Sequence, residues 1–429
     1  MPMSQNFLLA CFGAAGNLGP LLTAARQLSR AGHGVRFIAD LELRDEVEAA
    51  GFGFAAWRRA PSYSDIMSKF AKLDPSDEVR GLCDNILFGP APAYAADTRD
   101  ELEREPTDAL LAHNILLGSA MAAEAAKMPC AMFSPHVSLR PLPGTPPIGS
   151  GLSSPRTPEA RAEVDAARMQ FAATLNEWLP ALNATRMGLG LDALGHVLDL
   201  YDRPERVLLA IGSAFDFPAD YLPENVRYVG PLLDPPGWSK PWIAPWPQGS
   251  DRPRALVSFS TTFQNQADAL QRVVNALGAI EIDAVATTGP ALEGATLHAP
   301  NNVTLLHSAP HDLVMKEASL VVTHGGHGTV SRALIHGLPL LVMPMGRDQN
   351  DNAMRVEAQG AGLVLPPNAP ETEIAATLKR LIEEPHFRVA ARRLGKAMTA
   401  EIDSAILVSE MEAIVAARRA PKRRLAAAG

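Results

Sequence analysis

The chain has 429 residues, of which 47% are hydrophobic, and its formal net charge is -8. This length predicts two or three domains, and the composition excludes bulk disorder. The acidic balance argues against a protein that binds nucleic acid through its overall charge. No uninterrupted apolar run reaches the roughly 18 residues of a membrane span, and no basic signal region opens the sequence. The three cysteines form no CxxC pair, so we expect a reduced, cytoplasmic protein.

Apolar runs alternate with helical patterns through the first half of the chain. The run 6–12 predicts a buried strand, and 21–32 has helical spacing with Gly32 at the C′ position. The next strand, 33–40, completes a strand–helix–strand unit of the parallel, doubly wound type. Further elements are predicted as strands at 108–114, 129–135 and 206–217 and a helix at 119–128. The irregular stretch 136–160 is rich in Pro, Gly and Ser, and an acceptor-site lid and a plain linker are equally good explanations for it.

The same alternation restarts after a segment crowded with Pro, Trp and Gly, which has the composition of an interdomain linker. We therefore predict an α/β protein with two Rossmann-like domains, at 1–230 and 255–402, and a linker at 231–254. The strands of the second half are predicted at 255–261, 283–289, 303–309, 318–326 and 338–344, with a helix at 266–280. A last helical pattern covers about 373–418.

The sequence THGGHGT at 323–329 lies between a predicted strand and a predicted helix, 329–337. A helix N-terminus offers unpaired N–H groups and about half a positive charge. Glycines beside it let an anionic ligand approach the backbone closely. Such a turn, helped by an imidazole, would hold a diphosphate without a metal ion. The alternative is a glycine-rich turn with no ligand, which many α/β proteins contain.

A second polar turn, MGRDQNDN at 345–352, follows the next predicted strand. In a parallel sheet both turns lie at the carboxyl edge, where ligands bind. Asp348 and Gln349 offer the acceptors and donors that suit sugar hydroxyls. A diphosphate beside sugar hydroxyls indicates a nucleotide sugar.

The segment 323–365 resembles the donor-binding signature of family 1 glycosyltransferases, above all the bacterial enzymes that decorate natural products. Residues 13–40 resemble, more loosely, that family's opening turn and helix. The resemblance implies the GT-B fold, in which two Rossmann-like domains face a central cleft. The N-terminal domain would bind the acceptor and the C-terminal domain the donor. The final helix, about 403–420, would pack back on the N-terminal domain.

The resemblance also implies roles for the matching residues of the donor site. The diphosphate contacts would come from His324, Gly326, Gly328 and Thr329. Asp348 and Gln349 would hold the hexose hydroxyls. The loop that faces the donor would contribute Ser260 and Thr261, and the segment that lines the nucleobase and ribose would contribute Ser308.

The family's catalytic base sits in the first N-terminal turn, where this sequence has Asn17. An amide cannot take the proton of an acceptor hydroxyl, and base help is typically worth about 10²–10⁴ in rate. Four explanations stay open. In the first, another histidine is the base, either His113 at a strand end or His136 at the start of the irregular stretch. In the second, the acceptor is acidic enough to need little help, and in the third, Asn17 only orients the acceptor. In the fourth, the protein binds a nucleotide sugar as an auxiliary partner.

The sequence thus predicts an inverting, metal-independent glycosyltransferase without a cofactor. It would move a hexose from a UDP or dTDP sugar to a small hydrophobic acceptor, with Asn17 and His113 as catalytic candidates and His136 beside the acceptor. The alternative is a non-catalytic nucleotide-sugar-binding protein. A dinucleotide-dependent oxidoreductase fits less well, because the glycine spacing at 13–19 is imperfect, and an epimerase would need a carboxylate-rich cleft. The sequence leaves open whether the chain forms a homodimer.

Overall fold

The computed structural model describes residues 4–13, 15–70, 72–74, 77–233, 242–247, 249–259, 266–289, 292 and 296–419. These residues contain two parallel β-sheets. The strands are β1 (Asn6–Ala10), β2 (Gly34–Ala39), β3 (Gly53–Ala56), β4 (Ala109–His113), β5 (Cys130–Ser134), β6 (Arg206–Leu209), β7 (Val226–Tyr228), β8 (Arg254–Ser258), β9 (Asp283–Thr287), β10 (Val303–Leu306), β11 (Leu320–Thr323), β12 (Leu340–Val342) and β13 (Gly362–Val364).

Most helices lie on the connections between strands, and the last three described helices follow β13. They are α1 (Ala15–Arg30), α2 (Arg44–Ala49), α3 (Tyr63–Phe70), α4 (Glu78–Leu82), α5 (Ala91–Arg104), α6 (Leu117–Ala125), α7 (Pro158–Asn176), α8 (Leu179–Gly188), α9 (Ala267–Gly278), α10 (His311–Glu317), α11 (His327–Ile335), α12 (Gln349–Ala358), α13 (Glu371–Glu383), α14 (Pro385–Asp403) and α15 (Ile406–Arg419). Short 3₁₀ turns at Leu41–Leu43 and Val197–Asp202 and a π turn at Cys83–Leu87 complete them.

Each sheet reverses its strand order once. The first sheet has the order β3-β2-β1-β4-β5-β6-β7 and the second has β10-β9-β8-β11-β12-β13. The order therefore switches between β1 and β4 in the first sheet and between β8 and β11 in the second. Open parallel sheets bind ligands in the crevice at the carboxyl ends of their strands, at such a switch point. The topology thus marks one binding crevice on each sheet.

Helix α1 begins at Ala15, earlier than the predicted start at residue 21, so the prediction of a turn over most of 13–20 is wrong. Pro20 lies inside the helix, at the cost of one backbone hydrogen bond. The predicted end is confirmed, because Gly32 has φ of 92° and the N–H of His33 donates to the Leu28 carbonyl over 3.2 Å. This is a Schellman cap, for which glycine is favoured.

Helix α15 packs on the first sheet rather than on the second. Its apolar residues Leu407, Met411 and Ile414 are buried in the same cluster as Phe7 and Leu9 of β1. Polar contacts fix the middle and the C-terminal end of the helix, and they join Glu410 to Arg206 and Arg227, Glu412 to His33, and Arg419 to Asp108. Helix α15 is thus part of the core of the first domain.

An ion pair buried between the two halves joins Arg355 of α12 to Asp216, in the segment after β6. The Arg355 Nε lies 2.8 Å from a carboxylate oxygen of Asp216, and both side chains are about 5% exposed or less. The guanidinium also lies over the Phe217 ring, 4.3 Å from its centroid. Within the described part of the chain, none of the helices combines the length and apolarity that crossing a membrane demands.

Candidate functional site

The glycine–histidine turn lies at the switch point of the second sheet. Thr323, the last residue of β11, pairs with Ser258 of β8 on one side and with Val342 of β12 on the other. Gly325 has φ of 97°, and a Cβ there would come 2.9 Å from a Val342 methyl group. Only glycine combines that backbone conformation with that close approach. The turn therefore delivers the N-terminus of α11 to the crevice.

The imidazole of His324 lies against this helix end. A Cβ on Gly326 would stand 2.6 Å from the Nε2 of His324, so glycine at position 326 leaves room for the ring. Burial lowers the pKa of His324, although a hydrogen bond to the Ser258 backbone opposes the shift. Burial therefore favours the neutral ring, and one of its nitrogens is hydrogen-bonded to the sheet.

The first turn of α11 presents unpaired backbone donors beside this ring. The first intrahelical bond runs from the Val330 N–H to the Gly326 carbonyl over 3.0 Å. No described residue accepts from the N–H groups of Gly328 or Thr329, as a helix N-terminus dictates. Gly328 is exposed and a Cβ on it would meet nothing within 4 Å. An anion can approach these donors directly.

The second polar turn is stabilised by internal hydrogen bonds and is hydrogen-bonded to the first. The side-chain carbonyl of Gln349 accepts from the Met345 N–H over 2.8 Å, and Gln349 is only 3% exposed. Asn352 donates to the Gly325 carbonyl over 2.9 Å and to the half-buried Asp348 carboxylate over 3.1 Å. Its Oδ1 is buried without a partner among the described residues. Asn352, which the sequence did not single out, thus joins the two turns and leaves one acceptor unused.

The remaining predicted donor residues follow other strands of this sheet. Ser308 is exposed and follows β10, which is the edge strand. Three strand spacings of about 4.8 Å put β10 about 14 Å from β11. The loop after β8, with Ser260 and Thr261, lies outside the described residues.

Two histidines meet at the crevice of the first sheet. His113 ends β4 and is 1% exposed, and His136 follows β5 and is half-buried. Their ring centroids are 6.1 Å apart. Burial, and to a smaller extent the nearby His136, hold the pKa of His113 well below its ordinary value. Asn17 is half-buried in the first turn of α1, on the other side of the same switch point.

Two buried polar atoms beside this crevice have no hydrogen-bond partner in the described part of the chain. They are His113 Nε2 and Asn114 Oδ1. Asn114 is held in place by a 3.0 Å hydrogen bond from its Nδ2 to the Ser134 hydroxyl. Because buried polar groups are normally paired, these atoms indicate where a ligand's polar groups would lie.

His327, the first residue of α11, links the two crevices. Its Nε2 lies 3.1 Å from the carbonyl oxygen of Ala210, which follows β6 of the first sheet. Burial lowers the pKa of His327, and His136 is among the groups that act on it electrostatically. The sequence placed His327 in the glycine cluster but gave it no role. The helix end of the second sheet and the histidines of the first therefore face one cleft.

The irregular stretch also bridges the two halves. The N–H of Gly149 donates to the Asp351 carboxylate of α12 over 2.8 Å. Asp351 is 2% exposed, and burial raises its pKa to about 6. Arg156 makes a long contact of 3.5 Å with the Ala358 carbonyl. The stretch 136–157 is thus not a free linker, because it is hydrogen-bonded to α12 of the second half of the chain.

Comparisons with known proteins agree over most of the chain. Residues 271–414 match the family model described as "Erythromycin biosynthesis protein CIII-like, C-terminal domain". The chain is 28% identical over 405 residues to 4'-demethylrebeccamycin synthase of Lentzea aerocolonigenes, covering 91% of this chain and 95% of that protein.

Solved structures show the same likeness in fold. The glycotransferase of kitacinnamycin has a TM-score of 0.76 at 21% identity, covering 96% of this chain and 100% of that chain. The spinosyn rhamnosyltransferase SpnG complexed with thymidine diphosphate has a TM-score of 0.66 at 18% identity, covering 95% and 100%. The likeness in fold includes both sheets.

Proposed function

We propose that this chain, a GT-B glycosyltransferase of the natural-product type, moves a hexose with inversion from a uridine or thymidine diphosphate sugar to a small hydrophobic acceptor. One observation carries the donor assignment. The unpaired N-terminus of α11, with the His324 ring against it, lies at the switch point of the second sheet, beside the turn of Asp348.

The order of these groups along the sheet edge matches a nucleotide sugar. The nucleobase and ribose lie at β10 near Ser308, and the diphosphate lies at the N-terminus of α11. The hexose lies at the turn after β12, where Asp348 accepts from its hydroxyls. The spacing of about 14 Å between β10 and β11 suits an extended nucleoside diphosphate. The spinosyn rhamnosyltransferase, solved with thymidine diphosphate, supports a pyrimidine donor.

Gln349 supports the sugar site through the shape of its turn. Its side-chain carbonyl already accepts from Met345 and the residue is buried. Asn352 offers the unused Oδ1 instead. We therefore assign hydroxyl contacts to Asp348 and assign Gln349 and Asn352 to holding the loop, with the Asn352 Oδ1 as a further acceptor.

The N-terminus of α11 provides the electrostatic stabilisation of the transfer. Backbone N–H groups and the helix dipole stabilise the charge that grows on the leaving diphosphate as its bond to the anomeric carbon breaks. His324 adds to this once protonated, because a nearby dianion raises the pKa of an imidazole. These donors need no metal ion and no further cofactor.

Replacing His324 by alanine is expected to weaken UDP and dTDP binding about 10- to 150-fold, because a hydrogen bond to a charged group is worth about 1.5–3 kcal/mol. Calorimetric titration without added metal measures this. Since burial lowers the pKa of His324 and a bound diphosphate would raise it, binding takes up a proton, so wild-type affinity falls as pH rises and the variant loses that dependence.

The matched control is His386→Ala, because His386 is exposed on α14. It should bind both nucleotides as the wild type does. Equal affinities for wild type and His324→Ala would remove His324 from the donor site. A folded wild-type protein that binds neither nucleotide would refute the donor assignment as a whole.

Asn17 favours one second candidate, a nucleotide-sugar-binding auxiliary protein without turnover, because its amide cannot act as a base. The two candidates differ in one measurement, which is the release of nucleoside diphosphate when donor and acceptor are both present. Acceptor-dependent release by the wild type rules out the auxiliary protein, and its absence despite tight nucleotide binding supports it.

A further inference from the structure

We propose that His136 is the catalytic base of the transfer, in place of the residue at position 17. This inference rests on the proposed function. The acceptor O–H proton passes to the Nε2 of His136 as the acceptor oxygen bonds to the anomeric carbon. The bond between that carbon and the diphosphate oxygen breaks, and its electron pair leaves with the nucleoside diphosphate. The imidazolium then gives its proton to water.

The tautomer of His136 suits this task. Its Nδ1 lies 2.7 Å from the carbonyl oxygen of Val137, so the Nδ1 carries the proton of the neutral ring. The Nε2 then holds a lone pair, because the hydrogen bond at one ring nitrogen sets the state of the other. Val137 is 4% exposed, and the Ser134 hydroxyl donates to the His136 carbonyl over 3.0 Å. The ring is therefore anchored from behind.

The Nε2 of His136 is also accessible. No described residue hydrogen-bonds to it, and it is absent from the buried unpaired atoms, although the ring is half-buried. A lone pair that is neither bonded nor covered can accept a proton from a ligand in the cleft. A base must reach the hydroxyl before its pKa matters.

His113 has the opposite arrangement. The Ile115 N–H donates to its Nδ1 over 3.4 Å, so the neutral ring carries its proton on Nε2. That Nε2 is buried and unpaired among the described residues. His113 can therefore donate a hydrogen bond toward the acceptor but has no free lone pair there. It is a positioning residue beside the base.

Two buried histidines lie close to His136. His113 faces it from β4 and His327 acts on it from α11, and burial keeps both rings neutral. Asp348, which also acts on His327, adds negative charge on the donor side.

The test uses His136→Ala and an acceptor series from 4-nitrophenol to phenol, with UDP-glucose and dTDP-glucose as donors. We expect kcat with phenol to fall about 10²–10⁴-fold, while nucleotide affinity stays at the wild-type value. The loss should shrink toward 4-nitrophenol, whose hydroxyl is more acidic. Added imidazole should restore part of the phenol activity of His136→Ala, which a structural role would not permit. His113→Asn serves as comparison and should raise KM more than it lowers kcat, without imidazole rescue.

The other outcomes distinguish a failure of the base assignment from a failure of the proposed function. Wild-type turnover that survives in His136→Ala, or a loss that is equal for all phenols and is not rescued, refutes the base assignment and leaves the proposed function intact. No wild-type turnover with any donor and phenol counts against the proposed function, and the base assignment falls with it.

Discussion

Replacing Arg355 by methionine is expected to destabilise the folded protein by about 3–5 kcal/mol, because it leaves the buried carboxylate of Asp216 without its cation. The Asp216 carboxylate still accepts hydrogen bonds from the Tyr228 hydroxyl and the Phe217 N–H, each over 2.8 Å. The loss of stability should therefore lie toward the lower end of that range. The pair joins the two halves of the chain, so the midpoint of urea unfolding should fall and its transition should broaden. Near-UV circular dichroism follows this change.

Two variants control for this effect. Arg380→Met removes an ion pair that is exposed on α13 and should leave the midpoint unchanged, since surface pairs contribute little. The double variant Asp216→Leu/Arg355→Met removes both charges and should recover much of the stability. An Arg355→Met protein as stable as the wild type would mean that Asp216 is not desolvated between the halves.

Asp351→Asn is expected to raise the stability of the protein above pH 6 by up to about 3 kcal/mol. Burial raises the pKa of Asp351 to about 6, against about 3.9 in an unfolded chain. The folded state therefore binds the proton of Asp351 more tightly than the unfolded state does. The stability that the protonated carboxyl contributes is complete below pH 4 and is lost as pH rises through 6. The asparagine keeps an acceptor for the Gly149 N–H without the charge.

Thermal unfolding at pH 4, 5, 6 and 7.5 tests this expectation. The two proteins should be alike at pH 4 and diverge toward pH 7.5, with the variant the more stable. Asp268, at the exposed end of α9, provides the control variant Asp268→Asn, which should follow the wild type throughout. A variant less stable than wild type at pH 7.5 would show that the ionised carboxylate is well stabilised by Gly149 and Arg355.

The prediction of two Rossmann-like domains and the resemblance to GT-B glycosyltransferases are confirmed. Strands buried on both faces are continuous apolar runs, and that signal located β1, β4, β5 and most of the second sheet. The signal failed at the sheet edges. β3 and β7 are only half-buried, so their sequences lack an apolar run. The start of α1 was missed because glycine and proline indicate a turn until tertiary packing overrides them.

The sequence likewise predicted some parts of the candidate site and missed others. Local sequence located the turn of His324 and the turn of Asp348, since glycine, helix start and polar residues lie within a few positions of one another. Contacts across the cleft carry no such signal. His327 meets Ala210 across 117 positions, and Arg355 meets Asp216 across 139. The bond between His136 and the Val137 carbonyl depends on a backbone conformation that its sequence does not dictate.

The packing of α15 on the first sheet has a consequence for synthesis. Leu407 lies 179 positions after Tyr228, where the last strand of the first sheet ends. At roughly 5–20 residues per second, a ribosome needs about 10–40 s to add that length. Until then the face of β4 and β6 that α15 covers stays exposed on the nascent chain, while every described strand of the second sheet has already been made. The domain that is translated first is therefore the one that is completed last.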